Sequence, residues 1–146
     1  MNKSWQIILF TVVIGGAAFF AGPMIWPMTP EASMPPPHLL PAYIAIAAVE
    51  ALAFGFAVAF AIFGWPAIRN MQLGAPWLNR LLFISLCWFM GNWWIHDNLH
   101  MHIGLDMNRL LYIEFVFHFS MLACAVTLAL SLMRLANRSA AGKSAQ

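Results

Sequence analysis

The chain has 146 residues, of which 62% are hydrophobic and only 8% are charged, with a formal net charge of +2. This composition is far from the balance of a water-soluble domain and excludes that class of protein. The small net charge gives no reason to expect a nucleic-acid partner. The sequence therefore predicts an all-α polytopic membrane protein, a single domain over residues 1–146, whose solvent is the lipid bilayer.

Four long apolar segments follow one another along the chain. The predicted transmembrane helices cover about residues 5–22, 41–64, 78–100 and 109–135. Each has close to the roughly 20 residues that a helix needs to cross about 30 Å of hydrocarbon. The segments lack the alternation of β-barrel strands, so helices must satisfy their backbone polar groups in lipid. We expect a four-helix bundle, with outer loops at about 23–40 and 101–108.

Basic residues flank these segments asymmetrically. By the positive-inside rule, one side of the membrane is cytoplasmic and holds both termini, with Arg109 the only basic residue on the other side. The first segment follows Lys3 but precedes no small-residue cleavage site, so we expect a retained anchor rather than a signal peptide. The predicted location is the inner membrane of a bacterium. The residues assigned to the cytoplasmic side are Lys3, Arg69, Arg80, Arg134, Arg138 and Lys143.

The second segment combines a packing pattern with one ionisable residue. Small residues recur every four positions at Ala47, Ala51, Gly55 and Ala59. Such a row lets another helix backbone approach closely, which is how membrane helices pack. Glu50 is the only charged residue in this segment. At membrane depth an ionisable side chain costs several kcal/mol, so Glu50 is a candidate site residue and a candidate acid/base catalyst.

The third and fourth segments carry most of the histidines. Asn92, His96 and His100 share one stripe of a helix, and Asp97 is displaced from it by about 100°. Glu114 and His118 share a face of the fourth segment in the same way. If the two helices are antiparallel neighbours, the stripes meet. We expect one polar pocket, open to the outer face, that also contains Glu50 at the level of His118.

Metal binding is the main prediction for this pocket. Imidazole and carboxylate groups are ligands of first-row transition metals, and helical i, i+4 pairs can hold one ion or two adjacent ions. Asn92 or Asp97 would orient the ligands. Structural hydrogen bonding between helices remains the alternative. The predicted ligands are His96, His100, Glu114 and His118, with Asp97, Glu50, Asn92 and His102 as weaker candidates.

Copper is the favoured cofactor, ahead of iron and haem. Several methionines lie in or beside the outer loops, and thioether with imidazole ligands favours copper. Iron is the second candidate, because four-helix bundles hold di-iron centres, although their usual Glu-x-x-His spacing differs from Glu114-x-x-x-His118. Haem is third, with His96 and His118 as axial ligands.

Two short patterns resemble sites in known families. His96, His100 and His102 form an HxxxHxH string that resembles one histidine box of membrane desaturases and hydroxylases. Glu114 and His118 resemble part of the intramembrane copper site of particulate methane and ammonia monooxygenases. Each resemblance covers only a few residues.

Three functions stay open at this point. The first is a metal-binding redox or copper-handling subunit. The second is a membrane enzyme that acts on a lipid-like substrate by acid/base chemistry, with Glu50, Glu114 or His118 as the catalyst. The third is a non-catalytic accessory subunit, in a larger membrane complex or a homo-oligomer.

Overall fold

The computed structural model describes residues 3–30, 35–71 and 73–144, and this part of the chain is helical without strands. Residues 31–34 of the predicted outer loop lie outside the described residues. The all-helical prediction is confirmed for the described part. It forms five helices, namely α1 (Lys3–Ile25), α2 (Leu40–Phe63), α3 (Trp65–Arg69), α4 (Pro76–Ile103) and α5 (Met107–Ser144).

The helices extend beyond the apolar segments that predict them. α1 continues through Pro23 to Ile25, where the proline occupies the last turn. α4 begins with Pro76, whose fixed φ and missing N–H suit a first turn, and runs through all three of its histidines. Gly104 follows the last residue of α4 and caps the helix, and its φ of 62° lies in the left-handed region that favours glycine. The loops are therefore shorter than predicted, and the short α3 was not expected.

Three helices within the described ranges are long and apolar enough to cross a membrane: Ser4–Ile25 of α1, Leu40–Phe63 of α2 and Met107–Ala140 of α5. Large apolar side chains such as Phe20, Val49 and Phe119 are exposed on their surfaces. Water would solvate such surfaces poorly, whereas lipid tails accept them. These features indicate a membrane protein.

The long helices pack side by side in a row, each antiparallel to the next. α1 meets α2 where Gly15 faces Gly55, and α2 meets α4 where Ala57 faces Gly91. α4 and α5 are joined where the Trp88 indole donates a 2.8 Å hydrogen bond to the Ser120 hydroxyl. Over the ranges that the structure describes, α5 packs extensively against α4 alone, so the row is not closed into a ring.

Asn79 holds the turn between α3 and α4. Its buried amide nitrogen lies 2.9 Å from the Ile68 carbonyl oxygen, 3.0 Å from that of Arg69 and 2.8 Å from that of Met71. We expect Asn79→Leu to lower the free energy of unfolding by about 1–3 kcal/mol, because the carbonyl groups lose their donor. Thermal unfolding in detergent would measure it, with exposed Asn70→Leu as the control that should change little.

Candidate metal centre

Two neighbouring helices supply the side chains of the site. His96 and His100 lie one turn apart on α4, and Glu114 and His118 lie one turn apart on α5. Because α4 and α5 are antiparallel, the C-terminal turns of one helix face the N-terminal turns of the other. The structure thus brings together the four residues predicted as the main ligands.

Three ligand atoms form a compact group. His96 Nε2 lies 3.0 Å from His100 Nε2, which lies 3.1 Å from Glu114 Oε1. The ligand atoms of His96, His100 and Glu114 all lie within 4.8 Å of one another. Around a tetrahedral ion with bonds of about 2.0–2.1 Å, neighbouring ligand atoms are separated by about 3.3 Å. The two short separations are close to that value, so one ion would require only small side-chain movements.

Asp97 fixes the orientation of the most buried ligand. Its Oδ1 atom lies 3.1 Å from His96 Nδ1, which leaves Nε2 of the same ring facing His100. The His96 side chain is also held by the Phe117 ring, whose centre lies 5.2 Å away. A carboxylate behind a metal-binding histidine is a common arrangement, because it selects the tautomer and raises the basicity of the ligand.

Glu114 connects the triad to His118. One carboxylate oxygen faces His100, and the other lies 2.7 Å from His118 Nδ1. The His118 side chain is 56% exposed, whereas that of His96 is 10% exposed. His118 therefore lies beside the compact group of three and contacts it through Glu114.

Glu50 lines a cleft with Asp97 and His100, as the expected pocket requires, whereas His118 contacts Glu114 on α5. The Glu50 and Asp97 carboxyl groups line the same cleft, on the side of α4 that faces α2. The separation arises because α2 and α5 contact different sides of α4. Two members of the triad adjoin this cleft: His100 lines it, and His96 contacts Asp97.

Asn92 and His102 lie apart from the triad. The Asn92 side chain is completely buried and donates to the Trp88 and Phe89 carbonyl oxygens at 2.6 and 3.2 Å. Its amide oxygen has no hydrogen-bond partner. His102 Nδ1 lies 2.9 Å from the Pro27 carbonyl oxygen, so this ring connects α4 to the segment after α1. Neither residue directly contacts the three ligand atoms.

The geometry disfavours haem between His96 and His118. Two axial ligands must approach the iron from opposite faces, with the macrocycle between their rings. The ring centres of these histidines are 5.4 Å apart, and the Glu114 carboxylate contacts His118 directly.

Sequence patterns missed the side chains that support the site from outside the polar stripes. Phe117 holds the His96 ring, although its place beside His118 gave only an apolar signal. Tyr43, in the first turns of α2, lines the same cleft as Glu50 and Asp97. Its spacing along the chain does not connect it to these acids, because only the packing of α2 on α4 brings them together.

No family model, curated protein or solved structure matches this chain.

Proposed function

We propose that this protein is an integral membrane protein that binds a transition-metal ion near the outer face of the membrane, through His96, His100 and Glu114. The main support for this proposal is that the ligand atoms of these residues, which lie on two helices, are within 4.8 Å of one another. Asp97 supports the proposal by orienting His96. Three protein ligands leave a position open, which suits a site that exchanges ligands or electrons.

In this proposal α4 crosses the membrane together with α1, α2 and α5. Its 28 residues correspond to about 42 Å of helix, enough for the hydrocarbon layer. It packs between α2 and α5, both of which are apolar enough to span. Four crossings put both termini on one side, and the positive-inside rule makes that side the cytoplasm. The site then faces the periplasm of a bacterial inner membrane.

Charge supports an ion at this depth. Glu114 lies about two turns and His118 about three turns into α5, where a polar group is costly unless it is paired. Two acidic side chains contact the histidines of the site, Glu114 at His100 and Asp97 at His96. A divalent ion would balance these two charges.

Copper is the proposed metal, and a small redox or copper-handling subunit is the proposed role. Two imidazole nitrogens and one carboxylate oxygen suit several divalent first-row metals, among which Cu²⁺ generally binds most tightly. Iron is the second metal, since carboxylate and histidine ligands in helical bundles also hold iron.

Elemental analysis tests this function directly. We expect about one equivalent of copper per chain in protein purified from copper-supplemented cells, because the group of three provides one complete set of ligands. The Cu²⁺ form should show a ligand-field absorption band, and chelator treatment should remove it. Protein that binds neither copper nor iron when titrated with each would contradict the proposal and favour acid/base or accessory roles.

A further inference from the structure

The end of the helix row opposite the metal centre carries exposed arginines at one level. Arg80 lies twenty residues before His100 on α4, and Arg134 lies twenty residues after Glu114 on α5. At 1.5 Å per residue, each separation is about 30 Å, which is the thickness of the hydrocarbon layer. The two arginines therefore lie at the same membrane surface, on the side away from the metal centre.

Packing of α5 against the turn between α3 and α4 brings two more arginines to this surface. Leu135 packs against the buried apolar cluster that includes Leu73 of this turn. Arg138 reaches over the turn, since its Nη2 atom would lie 3.3 Å from a Cβ atom placed on Gly74. Arg69 is the last residue of α3. The four exposed arginines, together called the basic end, are Arg69, Arg80, Arg134 and Arg138.

The basic end has no acidic side chains around it. The chain contains five Asp and Glu residues, and none of them occurs in residues 1–30, 51–96 or 115–146, which supply this end of the row. At the opposite end, by contrast, Arg109 lies 3.3 Å from the Asp106 carboxylate. Acidic side chains of these stretches therefore cannot neutralise the four positive charges, and an anion from outside the chain would.

Exposed apolar side chains lie beside these arginines. Leu132 and Met133 are 66% and 61% exposed and directly precede Arg134. Trp77 is 61% exposed and lies three residues before Arg80, on the same side of α4. Tryptophan is enriched at membrane interfaces, where its ring meets the lipid head groups. A small soluble anion would contact only the arginines, whereas an amphiphile with an anionic head and apolar tails would contact both kinds of side chain.

We propose that the basic end binds an anionic phospholipid. The phosphodiester oxygens accept hydrogen bonds from the guanidinium groups, whose fork of N–H donors matches phosphate geometry. The acyl chains extend along the exposed apolar side chains of α5. A lipid with net negative charge is preferred, because the choline group of phosphatidylcholine brings a positive charge close to the arginines. Lipid binding depends on the membrane location of the chain and does not require a metal ion at the triad.

Phosphatidylglycerol and phosphatidylcholine with identical acyl chains are the probes. Native mass spectrometry of the full chain in detergent would give the affinity for each lipid. We expect phosphatidylglycerol to bind about tenfold more tightly or better, because only this lipid has a net charge. Arg138→Gln should weaken phosphatidylglycerol binding about fivefold, the usual contribution of one arginine at an anionic surface. Arg80→Gln together with Arg138→Gln should weaken it about 25-fold, because the contributions of separate arginines add.

Arg109→Gln is the matched control, because it removes the same charge at the opposite end. It should change phosphatidylglycerol affinity by no more than about twofold. An equal effect of Arg109→Gln and Arg138→Gln would overturn the proposal, as would equal affinities for the two lipids, a comparison that needs no variant. Displacement of phosphatidylglycerol by inorganic phosphate at a similar concentration would also overturn it, by assigning a soluble anion.

Discussion

Replacing His100 with alanine should lower the affinity of the protein for Cu²⁺ more than a hundredfold. His100 Nε2 is the central atom of the triad, since it lies 3.0 Å from His96 Nε2 and 3.1 Å from Glu114 Oε1. Loss of a group that only supports a ligand typically costs about 10–100-fold in metal affinity, and removal of a ligand costs more. Competition with a chelator of known Cu²⁺ affinity would measure the change.

His102 provides the matched control on the same helix. Its ring bonds the Pro27 carbonyl group, not the triad, so His102→Ala should leave Cu²⁺ affinity within about threefold of the original. The Cu²⁺ affinity of Asp97→Ala should lie between those of His100→Ala and His102→Ala, because this substitution removes the group that orients His96. Equal affinities for His100→Ala and His102→Ala, in folded protein, would refute the assignment of the triad as the metal site.

Gly55→Val should destabilise the protein by forcing α1 and α2 apart. A Cβ atom at this position would lie 2.4 Å from the Thr11 carbonyl oxygen and 2.5 Å from the Gly15 backbone nitrogen. Both neighbours are backbone atoms of α1, so relief requires the two helices to separate. We expect a loss of at least about 1–3 kcal/mol, the usual range for overpacking. Thermal unfolding in detergent, followed by tryptophan fluorescence, would measure it.

Gly16→Val is the control for this substitution. Gly16 lies beside Gly15 on α1, yet a Cβ atom there meets nothing within 4 Å. The control shares the change in backbone entropy and side-chain volume but leaves the contact between α1 and α2 intact. If both variants unfold at the same temperature, the close approach of Gly15 and Gly55 does not stabilise the protein.

The helices could be predicted well because lipid imposes a simple pattern on the sequence. Long apolar runs gave the four long helices, and the small residues around Ala51 and Gly55 marked the surface on which α1 packs. The ends of these helices were harder to predict from the sequence. The polar turns of α4 around His100 remain helical beyond the apolar run. α3 was missed because five residues starting at Trp65 are too few to show a periodic pattern.

In the candidate site, too, residue pairs within one helix could be predicted from the sequence, whereas contacts that depend on how helices pack could not. Helical spacing placed His96 with His100 and Glu114 with His118, and the antiparallel arrangement brought the pairs together. The contact between Glu50 and Asp97 depends on the register of α2 against α4, which is set where Ala57 packs on Gly91. No spacing within one helix determines that register, so the sequence could not show which residues of α4 Glu50 would face.

The open row of helices also has a consequence for how the chain assembles. Among the described residues, each long helix packs mainly against the long helix that precedes or follows it along the chain. Contacts that are near in sequence form early and cost little loop entropy. During synthesis, each emerging helix can therefore dock on the one inserted before it. The triad spans α4 and α5, so its three ligands come together only after α5 has docked on α4.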